Sequence, residues 1–318
     1  MSKVDIQKRE SVYDIVRKEC NVINDLGIYF NIPIEEGMFK ELQRSFVQYI
    51  YKSLSSYYGD KIFLSDWRFD ECDFSFLDLY KSEILGLPNI TPNGIIQVKK
   101  ENCVEYNKIQ ENITNILIET GLIKCVTHAQ HIIPRIVDGK QDIIKRARPL
   151  SIEKYHSDSW ASQKGDAVLS IIIGGDLSTT IEFCKPTGMS SNFFSSLTDY
   201  DDAKKNKFFD KLEYLGMAEF GKINIFDHAC VHRTLKQNGG IRVSLEICLA
   251  IDDENSLFSR DSNLVYEKYR NEYIGVNDLK ELGKSIFITA DETMKESERY
   301  KEEQKSRRYG NISFKNRL

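Results

Sequence analysis

The chain has 318 residues, 41% hydrophobic and 11% aromatic, enough to bury a globular core. Its 44 Lys and Arg against 48 Asp and Glu leave a formal net charge of −4, which supplies no basic footprint and argues against nucleic acid as an obligatory partner. Seven cysteines at irregular spacing, with no C-x-x-C pair, argue against a disulfide framework or a structural zinc site and fit reduced thiols.

The first ten residues are charged and lack the apolar stretch of a secretory signal. The densest apolar run, Ala167–Gly175, is far too short to cross a bilayer. A cytoplasmic protein with no membrane span is expected. Between residues 36 and 54, Phe39, Leu42, Phe46, Tyr49, Ile50 and Leu54 recur at three- and four-residue steps and predict an amphipathic helix. A second helix is predicted through Ile109, Ile113, Ile116 and Leu117, with Gly121 as a left-handed cap. The aromatic, acidic stretch 65–85 has no clean period and receives no assignment.

From about residue 123 the pattern changes to strands. Residues 126–137, 167–173, 179–183, 221–226 and 241–251 are β-branched or aromatic and are separated by turn residues. Gln237-Asn238-Gly239-Gly240 is expected to form a hairpin loop. One helix interrupts the series, with Phe208, Phe209, Leu212 and Leu215 on its apolar side. After Asp252 the chain turns polar, and its end, 291–318, reads as a solvated helix with a loose tail.

Three segments carry chemistry. In Tyr155-His156-Ser157-Asp158-Ser159-Trp160, strand alternation would aim an imidazole and a carboxylate from one face. Downstream, residues 221–234 bring two further histidines, His228 and His232, at the same strand parity. Two histidines and one carboxylate on one face of a metal leave open positions, the pattern of oxygen-activating non-haem iron. In residues 241–249 the alternation is clean. Ile241, Val243, Leu245, Ile247 and Leu249 form one face; Arg242, Ser244, Glu246 and Cys248 form the other. An arginine on an inner face needs an anionic partner, because an unpaired buried charge is costly. A dicarboxylate co-substrate would serve, and Glu246 is the rival.

The order H-x-D, distal histidine, then R-x-S ten residues later resembles the iron(II)/2-oxoglutarate-dependent dioxygenase superfamily, over roughly residues 123–251. The resemblance implies an α+β fold with a double-stranded β-helix (jelly-roll, cupin-like) core and flanking helices. Residues 123–252 would form this catalytic core, between a mainly helical flank, 1–122, and a charged, mainly helical extension, 253–318. It implies Fe(II), 2-oxoglutarate and O2 as cofactors, with His156, Asp158 and His232 as the catalytic metal ligands. Arg242 and Ser244 would bind the far carboxylate of 2-oxoglutarate. The ten-residue distance to Arg242 favours His232 over His228. The layout of 156–161, Gly174-Gly175-Asp176 and 179–183 also resembles members that tailor sugars or natural products. A small-molecule hydroxylase is therefore expected, with 2-oxoglutarate decarboxylated to succinate. Alternatives are an oxygenase acting on a protein or tRNA side group, or a non-catalytic cupin-like metal-binding module. Trp160, Arg135 and His131 are candidate substrate contacts; His131 and Arg135 share parity on the strand predicted at 126–137, and His128 has the other.

Overall fold

Apolar periodicity in the first third winds into helices α1 (Ile6–Ser11), α2 (Asp14–Glu19), α3 (Glu36–Tyr58), α4 (Phe76–Leu79), α5 (Lys81–Gly86) and α6 (Cys103–Glu119). The computed structural model describes residues 6–59, 62, 72–91, 94–140, 153–160, 165–186, 193, 212–256, 273–282, 286–290, 292–295 and 312–316. The Glu35 carboxylate starts α3 by accepting the N–H groups of Gly37 and Met38, at 2.9 and 2.8 Å, two donors the helix cannot satisfy itself. All six residues of the predicted α3 stripe are buried. After α6, Gly121 takes φ +80°, and a Cβ there would sit 2.6 Å from the Glu19 carbonyl oxygen. Only glycine fits that turn.

The strands are β1 (Tyr29–Pro33), β2 (Val126–Gln130), β3 (Ile133–Asp138), β4 (His156–Ser157), β5 (Ala167–Gly175), β6 (Thr180–Pro186), β7 (Leu212–Met217), β8 (Lys222–Asp227), β9 (Val231–Leu235), β10 (Ile241–Ile251), β11 (Tyr273–Gly275), β12 (Ile286–Ala290) and β13 (Ile312–Asn316). A further helix, α7 (Val276–Leu282), follows β11. The fold is α+β. Among the described residues, seven strands form one antiparallel sheet in the order β1-β8-β5-β10-β2-β11, with β3 also on β10. Four form a second, β4-β9-β6-β7, and β12 pairs with β13.

Alternation along β10 decides what each face of the large sheet meets. Ile241, Val243, Leu245, Ile247 and Leu249 join Leu169, Ile171 and Ile173 of β5 and Ile223 and Ile225 of β8 in a core with α3 and α6. The opposite face turns to the small sheet. There Val168, Phe226 and Tyr29 meet Ile181 and Phe183, with Phe183 stacked on Tyr29 at 4.5 Å and tilted to Phe226 at 4.9 Å. This second cluster bridges the two sheets, and Arg242, Ser244 and Glu246 of β10 share the face it lies on.

Several expectations are corrected. Residues 126–137 are two strands, broken at His131 and Ile132. Side chains of α6 take up the backbone groups freed at the break: Tyr106 donates to the Ile132 carbonyl at 2.6 Å, and Gln110 Oε1 accepts the Ile132 N–H at 3.0 Å. The break lets β3 pair with residues 241–246 and β2 with 249–251 of the same long strand. Leu212 and Leu215 lie in strand β7, paired with β6, and not in a helix; Phe208 and Phe209 lie outside the described residues. Residues 237–240 form no hairpin, because β9 and β10 belong to different sheets. The N-terminal flank contributes β1 to the large sheet, and 253–318 contains β11, β12 and β13 besides α7. All seven cysteines are free thiols. Among the described residues no helix is long and apolar enough to cross a membrane.

Candidate metal centre

The small sheet positions the site. His156 of β4 lies directly opposite His232 of β9, and His232 opposite Phe183 of β6. Directly opposed side chains in an antiparallel pair are close neighbours, so the two imidazoles meet with ring centroids 4.4 Å apart. The strand carrying His156 is only two residues long. At Asp158 the chain enters a short 3-10 turn (Asp158–Trp160), and the carboxylate comes 3.8 Å from His232 Nε2. One donor atom from each of His156, Asp158 and His232 lies within 4.8 Å of the others. Small side-chain rotations would close this span around one ion.

The tautomers suit metal binding. His156 Nδ1 faces the Lys154 carbonyl at 2.8 Å, and His232 Nδ1 faces the Cys230 carbonyl at 3.3 Å. A carbonyl oxygen only accepts, so each Nδ1 carries the proton and each Nε2 the lone pair. Burial pushes the pKa of His156 down to about 4, helped by the neighbouring His232 charge and opposed by Asp158. Burial lowers His232 too. Burial alone would raise Asp158, but His232, His156 and His228 outweigh it and hold the carboxyl at about 2. At neutral pH the trio is therefore two neutral imidazoles and a carboxylate, with no proton to lose before binding a cation. Asp158 keeps 34% side-chain exposure, so solvent reaches the cluster from its side.

His228 stands elsewhere. It occupies the turn between β8 and β9, buried, and its carbonyl accepts the Ser157 hydroxyl at 2.7 Å. The cluster of three contains His232 and not His228.

On the facing sheet, Arg242 is 1% exposed. It donates to the Thr179 carbonyl through Nη1 at 3.3 Å, while its Nε has no partner. Desolvation pulls its pKa down to about 10, against the attraction of Glu246. Ser244 Oγ, two residues on, is buried and equally without a partner, and so is Thr179 Oγ1. Glu246 attracts the Arg242 charge, but its close ion pair is with a residue from β3. Arg135, opposite Ser244 in register, makes an ion pair with Glu246, Nε to Oε2, at 2.9 Å. The Arg135 charge acts on His156, Asp158, His232 and Arg242 alike, so one cation influences both the cluster of three and the buried guanidinium.

Among the other candidates, Trp160 is fully buried and packs edge-on against Phe193 at 5.5 Å, a core position. His131 is buried in the break between β2 and β3, outside the cluster of three. The break removes the continuous alternation that gave His131 and Arg135 one parity. Ser157, Thr179 and the Arg135–Glu246 pair join these residues without any motif in the sequence that groups them. Only the pair had a sequence signal, through the shared face of Glu246 and Arg242.

No protein-family model matches the chain, and no curated protein matches it. Solved structures do. One is AviO1 from Streptomyces viridochromogenes Tue57, at 12% identity and a TM-score of 0.38, covering 79% of this chain and 96% of that one. Another is the non-heme alpha ketoglutarate dependent epimerase SnoN from nogalamycin biosynthesis, at 8% identity and a TM-score of 0.35, covering 76% of this chain and 81% of that one. At TM-scores below 0.5 these likenesses carry no inference about the chemistry of this chain.

Proposed function

We propose that this protein is an iron(II)- and 2-oxoglutarate-dependent oxygenase acting on a small molecule. The carrying observation is the pairing of two features across the inter-sheet space. One is a His-Asp-His cluster with both Nε2 lone pairs available; the other is a buried guanidinium and hydroxyl with unused hydrogen-bonding capacity. The donor set fits ferrous iron, since two imidazoles and one carboxylate leave positions for an oxo acid and oxygen. The orphaned Nε of Arg242 and hydroxyl of Ser244 fit a carboxylate, which accepts two parallel hydrogen bonds from such a fork. The two facing sheets are read as a double-stranded β-helix, with 123–252 as its catalytic core and the flanks as support.

In this reading His156, Asp158 and His232 hold the metal, with the Lys154 and Cys230 carbonyls fixing ring orientation. Arg242 and Ser244 orient the co-substrate by its far carboxylate. Arg135, held by Glu246, keeps a positive charge beside the reacting end. The apolar cluster around Phe183 and Phe226 keeps water from one side of the metal ligands, since Phe226 packs 5.1 Å from the His232 ring. Iron with 2-oxoglutarate supplies oxygen activation coupled to decarboxylation of the oxo acid to succinate, here directed to hydroxylation.

The test is spectroscopic. Anaerobic addition of 2-oxoglutarate to the ferrous-loaded protein should develop a visible metal-to-ligand charge-transfer band. Iron demonstrably bound without that band would end the oxygenase reading. Succinate formation stimulated by small-metabolite extracts, and not by macromolecular fractions, is the outcome expected for the substrate class.

A further inference from the structure

The metal ligands come from two segments, 156–158 and 232, and both are tied to one turn, residues 227–230. The Ser157 hydroxyl, between the first two ligands, donates to the His228 carbonyl at 2.7 Å. The Cys230 carbonyl accepts from Nδ1 of His232 at 3.3 Å. The turn is closed by Asp227, whose Oδ1 accepts the Ala229 N–H at 2.7 Å and whose carbonyl accepts the Cys230 N–H at 2.8 Å. The position of Asp227 thus sets two carbonyl oxygens on which the ligand geometry depends.

Asp227 is in turn gripped from the beginning of the chain. Arg9 of α1 donates to its Oδ2 from Nε at 2.9 Å and from Nη2 at 2.6 Å. The Tyr13 hydroxyl, between α1 and α2, lies 2.6 Å from the same oxygen. Both residues also reach Asp166, which precedes β5. Arg9 Nη2 is 3.2 Å and the Tyr13 hydroxyl 3.0 Å from its carbonyl oxygen, and Arg9 Nη1 is 3.4 Å from Oδ1. That carbonyl also accepts the His228 N–H at 2.9 Å. Arg9, Tyr13, Asp166 and Asp227 are each at most 3% exposed. A buried ion network of this kind is held rigidly, because removing one member leaves an uncompensated charge in low dielectric.

We infer that the first two helices belong functionally to the metal centre, with Arg9 and Tyr13 as positioning residues that set the ligand geometry through Asp227 and the 227–230 turn. This rests on the metal reading above and adds a device to it. Neither residue touches a ligand; each acts through the carbonyls of His228 and Cys230.

The experiment uses the full chain with Arg9→Met, Arg9→Lys and Tyr13→Phe. Far-UV circular dichroism and thermal melts identify the variants that remain folded. Cobalt(II) and iron(II) affinities are read by chelator competition, and the visible ligand-field bands of the cobalt-loaded protein report geometry. Tyr13→Phe removes one hydroxyl in a volume-conserving change and keeps the test open where Arg9→Met fails to fold. Folded variants are expected to bind metal measurably more weakly, up to the roughly tenfold seen when a group bonded to a ligand itself is lost, with altered cobalt bands. Arg9→Lys should recover part of the affinity. Folded variants with wild-type affinity and bands would overturn the inference and leave the metal reading intact. A wild-type protein that binds neither metal would bring down both.

Discussion

Replacing Arg242 by Met should separate stability from function, because the same burial that suits the arginine to an anion makes it costly without one. Its pKa is pulled from the ordinary 12.5 to about 10, so the charged form is disfavoured in place by something on the order of 3 kcal/mol. The one bond lost, to the Thr179 carbonyl at 3.3 Å, is long, and methionine keeps most of the stem volume. Because the close ion pair of Glu246 is with Arg135, removing the Arg242 charge strands no ion-pair partner and relieves a desolvation cost. The ligand-free Arg242→Met protein is therefore expected to melt at or above the wild-type temperature. Binding moves the other way. Truncating one side of a buried, hydrogen-bonded charge pair costs about 2–5 kcal/mol. At 1.4 kcal/mol per decade that is roughly 30- to 4000-fold in 2-oxoglutarate affinity. Calorimetric melts of the metal-free protein and anaerobic titration of the ferrous protein measure the two quantities. A variant that melts lower while binding 2-oxoglutarate normally would show that Arg242 has its compensation within the fold, and the co-substrate assignment would fall.

Other outcomes follow from the same geometry. His232→Ala should abolish iron binding while His228→Ala retains most of it, and chelator competition in the reverse order would reassign the ligand. The metal-free protein should lose stability as pH falls. His156 is held at about 4 against an ordinary 6.5, so the unfolded chain binds more protons across that window; its contribution, full above pH 6.5, is lost towards pH 4. Asp158, held at about 2 against 3.8, adds the same sign below that window; melts that stay level from pH 7 to 4 would contradict the His156 contribution. Glu246→Gln should strengthen 2-oxoglutarate binding modestly, since it leaves Arg135 charged and unneutralised beside the site; a loss of affinity would give Glu246 a different task.

Legibility in the sequence followed the physics of each element. Period-two alternation in β10 was clear because one face is wholly apolar, so the inward aim of Arg242 and Ser244 could be read directly. The α3 stripe was clear for the same reason at period 3.6. Residues 126–137 misled because both halves are β-branched; the break depends on Tyr106 and Gln110, which reach it from a helix elsewhere in the chain. Leu212 and Leu215 looked helical by spacing, but pairing with β6 overrides local preference. The hairpin signal at 237–240 was a genuine turn signal with the wrong partner, since turn chemistry does not specify which sheet the next strand joins. Arg9 and Tyr13 had no local signature at all. Their role exists only through Asp166 and Asp227, more than 150 residues away.

The charges at the site bear on how metal and co-substrate would bind together. With Glu246 ionised in its pair with Arg135, against the burial that favours its neutral form, Asp158 and Glu246 bring two negative charges and Arg135 and Arg242 two positive ones, so the four side chains cancel before loading. A divalent ion alone would leave the inter-sheet space at plus two, with Arg135 facing the metal cluster; a dianion alone would leave it at minus two. Loading both restores balance in a region where solvent screens weakly. Each should therefore bind more tightly in the presence of the other, by a coupling that thermodynamics requires to be the same in both directions. Titrating 2-oxoglutarate with and without manganese(II), and manganese(II) with and without 2-oxoglutarate, measures it. Couplings between sites are typically about 5- to 150-fold, and direct contact in low dielectric belongs at the upper end of that range. In Arg135→Ala the coupling should persist while the separate affinities move apart, manganese(II) binding more tightly and 2-oxoglutarate more weakly, because one positive charge has left the space both occupy. Independent binding of the two, with both shown to bind, would mean that they do not share this space.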